Sequence, residues 1–112
     1  SILATCKEIS YFGAVLANKG VCPITKEMLI EPLTVKVLRS LMGTCGMYDA
    51  SGEFALKVGI PSKSGVGGGI VSAVPQKMGI GVFGPALDAR GNSIAGIKAL
   101  EYIGKELDLN IF

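Results

Sequence analysis

The stretch that decides the fold runs from Ile70 to Phe83 and reads IVSAVPQKMGIGVF. Ile70 to Val74 and Met78 to Phe83 are short apolar runs, and the second alternates larger residues with glycine, as β-strands often do. Pro75-Gln76-Lys77 separates the two runs with a proline that cannot donate to a strand ladder. The stretch therefore predicts a β-hairpin.

Helices are predicted on both sides of this hairpin. Thr5 and Glu8 have the spacing of a capping box that begins one helix, and Pro32 suits the first turn of a second. A short helix is expected from Glu53 to Val58, and Asn92 is expected to cap the last one. This segregated order favours an α+β fold, with the last helix packed on an antiparallel sheet. Because a hairpin alone is only marginally stable, we expect it to complete a larger sheet whose other strands lie elsewhere.

Two glycine patterns resemble nucleotide-binding sequences. Gly79 to Gly84 matches G-x-G-x-x-G, but no helix is expected to begin within it, so its glycines are better explained as strand positions where another element approaches closely. Gly65 to Gly69 lacks the G-K-[ST] ending of a phosphate-binding loop. Its four glycines still allow the backbone to approach a ligand closely. No cofactor is predicted.

Composition excludes several classes of function. The 112 residues carry a net charge of +2, only seven aromatic residues and no long basic run, so nucleic-acid binding is not expected. The longest apolar stretch is too short to span a membrane. The chain has no histidine, which rules out Ser-His-Asp and Cys-His catalysis within it. An odd count of three cysteines, without C-x-x-C spacing, suggests neither disulfides nor a metal site and favours the cytoplasm.

The mean hydropathy of +0.50 is high for a small soluble domain. One explanation is an apolar surface that packs against a partner or a missing segment. A domain that is simply rich in glycine, alanine and isoleucine explains the value equally well.

The triplet Lys63-Ser64-Gly65 lies just before the hairpin. It has the form of the Lys-Thr/Ser-Gly box of β-lactamases and penicillin-binding proteins, which begins a strand at the edge of the active site. There the lysine supplies positive charge, the hydroxyl a hydrogen bond, and the next backbone N–H a contact to the oxyanion. By itself the triplet is also common in exposed turns.

The wider sequence is more specific. Cys45 to Gly52 (CGMYDASG) and Gly59 to Ile70 (GIPSKSGVGGGI) closely resemble the serine-dependent glutaminase family. Shorter matches precede and follow them, including Leu16-Ala17-Asn18, Cys22-Pro23-Ile24-Thr25 and Gly91-Asn92-Ser93, so the resemblance covers essentially the whole chain in order. It implies a β-lactamase-like fold, of which residues 1–112 would be one segment at the C-terminal end of the catalytic domain.

The resemblance also implies an activity. Such enzymes hydrolyse L-glutamine to L-glutamate and ammonia through an acyl-enzyme, without a cofactor, and form homo-oligomers. Their serine and its lysine base stand three residues apart, and no serine of this chain is followed by lysine at that spacing. The chain also begins at Ser1 rather than methionine, so we expect a fragment or processed subunit that is inactive without an N-terminal part.

Two site residues follow from the resemblance. Tyr48 matches the family's late active-site tyrosine beside the substrate, whose phenol could relay a proton or orient the amide. Val66 matches the residue whose backbone N–H forms half of the oxyanion hole. Lys63, Ser64 and Gly65 are expected to support this site. Without the family match, Tyr48 would be assigned to the core and Val66 to a strand.

Two other functions remain open at this stage. A fragment of a penicillin-binding protein would share the superfamily, but the sequence from Cys45 to Asp49 argues against it. A non-catalytic binding or regulatory module would keep the fold without the chemistry, and it predicts a stable monomer that needs no second part.

Overall fold

The computed structural model describes residues 2–112, so Ser1, the first residue of the predicted segment, lies outside the described part. Four helices and three strands form an α+β fold, which confirms the predicted class. In chain order they are α1 (Cys6–Ala17), α2 (Pro32–Cys45), a 3-10 turn (Tyr48–Ala50), α3 (Ser51–Lys57), β1 (Ser62–Ser64), β2 (Gly69–Val74), β3 (Met78–Phe83) and α4 (Ile94–Glu106).

The hairpin is confirmed: β2 and β3 form a three-stranded antiparallel sheet with β1, in the order β1-β2-β3. Val74 pairs with Met78 across the three-residue turn, and Ser64 pairs with Ile70 on the other side of β2. The short strand β1 was not predicted as a separate element. It makes Lys63 and Ser64 part of the sheet rather than of the loop before it.

Helices cover both faces of the sheet. On one face Ile70 and Val74 are buried against Leu100 of α4, in a core that also includes Met47, Phe54, Val58, Ile60 and Leu109. On the other face Ala73 packs with a second buried cluster of α1 and α2, formed by Leu16, Ala17, Val35 and Met42. The last helix therefore packs on the sheet as predicted, and the molecule has three layers.

Glycines in β3 let α1 lie directly on the sheet. A Cβ atom added at Gly79 would stand 2.0 Å from the backbone nitrogen of Ala14, and one at Gly81 would stand 2.1 Å from the carbonyl oxygen of Cys6. No side chain fits in such a gap. The interpretation of these glycines as close-approach positions is confirmed, and the nucleotide-binding alternative has no support here.

Helix boundaries agree with the sequence signals in part. The Thr5 hydroxyl accepts from the Glu8 N–H at 3.2 Å, and the Glu8 carboxylate accepts from the Thr5 N–H at 2.9 Å, so the capping box is confirmed. The predicted short helix is present as α3, but two details of the predicted helix starts were wrong. Helix α3 begins at Ser51 rather than Glu53, and Ser93 rather than Asn92 caps α4, its hydroxyl accepting from the Gly96 N–H at 3.0 Å.

None of the helices described between residues 2 and 112 is long and apolar enough to cross a membrane.

Candidate functional site

Tyr48 occupies a turn of unusual backbone geometry. Its φ of 52° lies in the left-handed region, which costs a residue other than glycine on the order of 1–2 kcal/mol. The hydroxyl of Ser51 holds this turn, because it accepts from the Met47 N–H at 3.0 Å and donates to the Tyr48 carbonyl at 2.8 Å. The Tyr48 side chain remains 43% exposed at the surface.

Strand β1 brings Lys63 next to this tyrosine. The Lys63 ammonium lies 4.5 Å from the centroid of the Tyr48 ring, and it also donates to the carbonyl of Ser64. The Ser64 side chain points the other way and is buried. The two neighbours in the triplet therefore have different surroundings, the lysine at the surface and the serine in the interior.

Val66 stands at the tip of the glycine-rich turn between β1 and β2. The Gly65 N–H donates to the Gly69 carbonyl at 3.1 Å, and the Gly68 N–H donates to the Gly65 carbonyl at 3.0 Å, which closes a tight loop. Val66 is 71% exposed, and no acceptor within residues 2–112 receives its N–H. This N–H is available to bind an external oxygen.

Gly91 brings the two segments together. A Cβ atom added at Gly91 would lie 3.8 Å from both the Tyr48 ring and a Val66 methyl group, so these two side chains flank the same glycine. With Lys63 above the ring, three of the sequence-predicted residues gather at one surface. Gly65 lies in the connecting turn.

Asn92 joins the same segments from beneath, and sequence reasoning assigned it only a capping role. Its side chain is fully buried; the amide nitrogen donates to the Met47 carbonyl at 3.0 Å, and the amide oxygen accepts from the Ser64 hydroxyl at 2.5 Å. The available signal was the match of Gly91-Asn92-Ser93 to the family, which pointed to this loop. No sequence signal indicated the role of Ser51.

Glu53 forms two ion pairs near the site. Its carboxylate pairs with Lys57 at 2.8 Å and with Arg90 at 3.0 Å, and the hydrogen bond from Lys57 is the main cause that lowers the pKa of Glu53. Arg90 belongs to the loop that contains Gly91, so the Glu53–Arg90 pair connects α3 to that loop.

In the described residues no group of three or more His, Cys, Asp or Glu side chains could hold a metal.

A groove of about 390 Å³ lies beside this surface, between α3, the loop before α4 and α4 itself. Phe54 and Ile97 form part of its lining, whereas Tyr48 and Val66 do not contribute to it. In this chain the candidate site is therefore an open surface rather than the groove, and a second wall is needed to enclose a substrate.

Comparison with known proteins gives one consistent answer. The family model described as Glutaminase matches residues 1–112. A glutaminase of Clostridium tetani is 62% identical over all 112 residues, and one of Clostridium botulinum strain Loch Maree is 55% identical. The chain spans only 37% of the length of each of these relatives.

Solved structures agree with the sequence relatives. A Bacillus glutaminase crystallised with 4.3 M NaCl is 45% identical and superposes with a TM-score of 0.94, covering 97% of this chain and 38% of its own. A Bacillus subtilis glutaminase in covalent complex with 5-oxo-L-norleucine is 44% identical, with the same TM-score and coverage of 97% and 40%. The match in fold extends over nearly the whole chain and over less than half of each solved structure.

Proposed function

We propose, since the chain belongs to the glutaminase family, that it forms part of an enzyme that hydrolyses L-glutamine to L-glutamate and ammonia through an acyl-enzyme. The observation that carries this proposal is the meeting of Tyr48 and Val66 at Gly91. Tyr48 carries a phenol, and Val66 carries a backbone N–H without an acceptor in residues 2–112. A phenol can transfer a proton and a free N–H can stabilise an oxyanion, and both aid amide hydrolysis.

We assign each group a role. The Tyr48 phenol lies beside the glutamine amide and relays or orients its proton. The Val66 N–H stabilises the negative oxygen of the tetrahedral intermediate together with the N–H of the nucleophilic serine. Lys63, Ser64 and Gly65 support these two groups. The covalent complex of the Bacillus subtilis relative supports a nucleophile beside the δ-carbonyl of the substrate, because 5-oxo-L-norleucine keeps the α-amino acid group and the δ-carbonyl of glutamine.

The nucleophile comes from an N-terminal part of the same enzyme. No serine of this chain precedes a lysine by three residues, so the serine and its base must be supplied from outside it. An exposed apolar surface on α2 supports the presence of such an N-terminal part. Leu33, Val37 and Leu41 form an exposed apolar stripe at every fourth residue of α2, and such a stripe normally packs against another element.

The cellular setting is part of the same proposal. From the family resemblance we infer a homo-oligomer in the cytoplasm. Cys6, Cys22 and Cys45 support the location, because all three are free and a reducing compartment keeps thiols in that form.

Ammonia release from L-glutamine tests the proposal. We define the reassembled enzyme as this chain mixed with the separately made N-terminal part of a full-length glutaminase. We expect activity only in the mixture, and we expect Tyr48→Phe to lower kcat by about a hundredfold, at the lower end of what a proton-transfer group contributes. Tyr102→Phe is the matched control, because Tyr102 is exposed on α4.

The outcomes separate the alternatives. A mixture that associates and folds but releases no ammonia would favour a non-catalytic binding module. Activity of this chain alone would contradict the assignment of the nucleophile to the N-terminal part. Hydrolysis of a β-lactam in place of glutamine would favour a penicillin-binding-protein relative.

A further inference from the structure

We infer that Asn92 is a positioning residue that holds the Tyr48 turn and the Val66 loop at a fixed separation. The inference rests on the proposed function, because it concerns the alignment of two groups that act on the same substrate. Asn92 touches neither proposed group itself. It acts through the residue before Tyr48 and through the serine two residues before Val66.

The geometry of the Asn92 amide carries the inference. Its nitrogen donates to the Met47 carbonyl at 3.0 Å and its oxygen accepts from the Ser64 hydroxyl at 2.5 Å. These two partners belong to segments that are also connected by the Ser64 N–H and hydroxyl contacts to the Gly46 carbonyl at 3.0 and 3.4 Å, and at the surface by Lys63 over the Tyr48 ring. One rigid amide thus bridges the element that carries the phenol and the element that carries the oxyanion donor.

Burial makes this bridge strong and specific. Asn92 is 0% exposed, so water does not compete for either hydrogen bond, and a partner left unmade would remain unsatisfied. The amide offers a donor and an acceptor in this fixed arrangement at every pH. An ionised carboxylate of the same shape accepts only, and it would face the Met47 carbonyl with like polarity.

The backbone of Asn92 is fixed as well. Its N–H donates to the Asp88 carboxylate at 3.1 Å, and its carbonyl accepts from the Asp88 N–H at 2.8 Å. Gly91, the preceding residue, lies against both Tyr48 and Val66. The same loop therefore packs beneath the two proposed groups and ties their segments together, so displacement of the bridge moves both.

Asn92→Asp in the reassembled enzyme tests the inference, since the protonated form of the introduced carboxyl restores both bonds and the ionised form cannot donate. Burial raises the pKa of such a carboxyl. We expect kcat to fall about ten- to a hundredfold at neutral pH, as misplaced groups do, with KM little changed. The ratio of variant to wild-type kcat should rise as the pH falls through that pKa. A merely structural role predicts a flat ratio once kcat is expressed per folded enzyme, because protonation then changes only the folded fraction.

Asn110→Asp is the matched control, because Asn110 is exposed and bridges the Leu56 carbonyl and the Phe112 N–H with the same amide chemistry. We expect it to leave kcat unchanged at every pH. Ser64→Ala is the second variant if Asn92→Asp does not fold. It removes one end of the bridge, keeps the Met47 bond and should lower kcat by a smaller factor.

A readout without catalysis separates this inference from the proposed function. The reassembled enzyme is labelled with 3-fluorotyrosine. The ¹⁹F resonance of Tyr48 is identified as the one that is missing from the spectrum of the labelled Tyr48→Phe variant. We expect Asn92→Asp to shift or broaden this resonance at neutral pH and to restore it in acid. An unmoved resonance, or a kcat equal to wild type, would overturn the inference. If Asn92→Asp moves the resonance but the wild-type reassembled enzyme has no glutaminase activity, the positioning role of Asn92 stands and the proposed function is overturned.

Discussion

The ammonium nitrogen of Lys63 lies 4.5 Å from the centroid of the Tyr48 ring, although the two residues belong to different elements. A cation at this distance is attracted to the face of an aromatic ring, by about 0.5–1 kcal/mol at an exposed site. Tyr48 is also 43% exposed, so much of its ring faces solvent rather than packed neighbours. We therefore propose that Lys63 helps to orient the phenol.

Replacement of this cation should weaken catalysis moderately. We expect Lys63→Met to lower kcat/KM of the reassembled enzyme about two- to fivefold, the factor that corresponds to the loss of about 0.5–1 kcal/mol. Lys63→Arg should retain most of the activity, because a guanidinium also stacks on aromatic faces. Lys98→Met, on the exposed side of α4, is the control. Equal damage from Lys63→Arg and Lys63→Met would contradict the role of the cation.

The sequence predicted those parts of the fold whose signals are local. The capping box at Thr5 and Glu8 needs only residues within one turn, and the structure contains both of its hydrogen bonds. Gly79 and Gly81 were equally informative. They alternate with larger residues, which indicates a strand that has no side chains on one of its two faces. Close approach of a helix to that face follows from sterics alone.

Other parts depended on contacts between distant residues. Strand β1 consists of Ser62, Lys63 and Ser64, which have no apolar alternation, and it is a strand because it pairs with β2. Asn92 has the residue type of a helix cap, but Ser93 is the capping residue of α4. The Asn92 amide instead binds partners 28 and 45 residues away in the chain. A single sequence does not encode such pairings in any local pattern, and here only the family resemblance pointed to the loop.

The contact between α1 and β3 gives a prediction on stability. Gly79→Ala would place a Cβ atom 2.0 Å from the Ala14 backbone nitrogen, so the helix must move away from the sheet. We expect a loss of about 1–3 kcal/mol of unfolding free energy, as is usual for overpacking, measured as a lower melting temperature of the reassembled enzyme. Gly43→Ala is the control, because nothing lies within 4 Å of its Cβ position in α2. It should leave stability unchanged or raise it, and a similar loss in both variants would contradict the steric explanation.

The ion pairs of Glu53 give a prediction on pH. Because Lys57 and then Arg90 lower its pKa below the ordinary value of 4.5, this carboxylate stabilises the fold above that pH and loses the contribution as the pH falls through the lowered pKa. We expect Glu53→Gln to lower the melting temperature slightly at neutral pH and low salt, and not at all in acid. Glu106→Gln, which removes an exposed carboxylate at the end of α4, is the control. A difference that persists in acid or at high salt would show that the ion pairs are not its cause.

The Val66 N–H gives the sharpest test of the oxyanion hole, because its proposed role belongs to the backbone and not to the side chain. Val66→Pro deletes this hydrogen while the preceding Gly65 tolerates the restriction that proline imposes. We expect kcat of the reassembled enzyme to fall on the order of a hundredfold or more, the usual result of losing one oxyanion donor. Val66→Ala keeps the N–H and should be nearly silent. If Val66→Ala were as damaging as Val66→Pro, the side chain would be the functional group, and the exposed methyl groups of Val66 would be a wall of the substrate site instead.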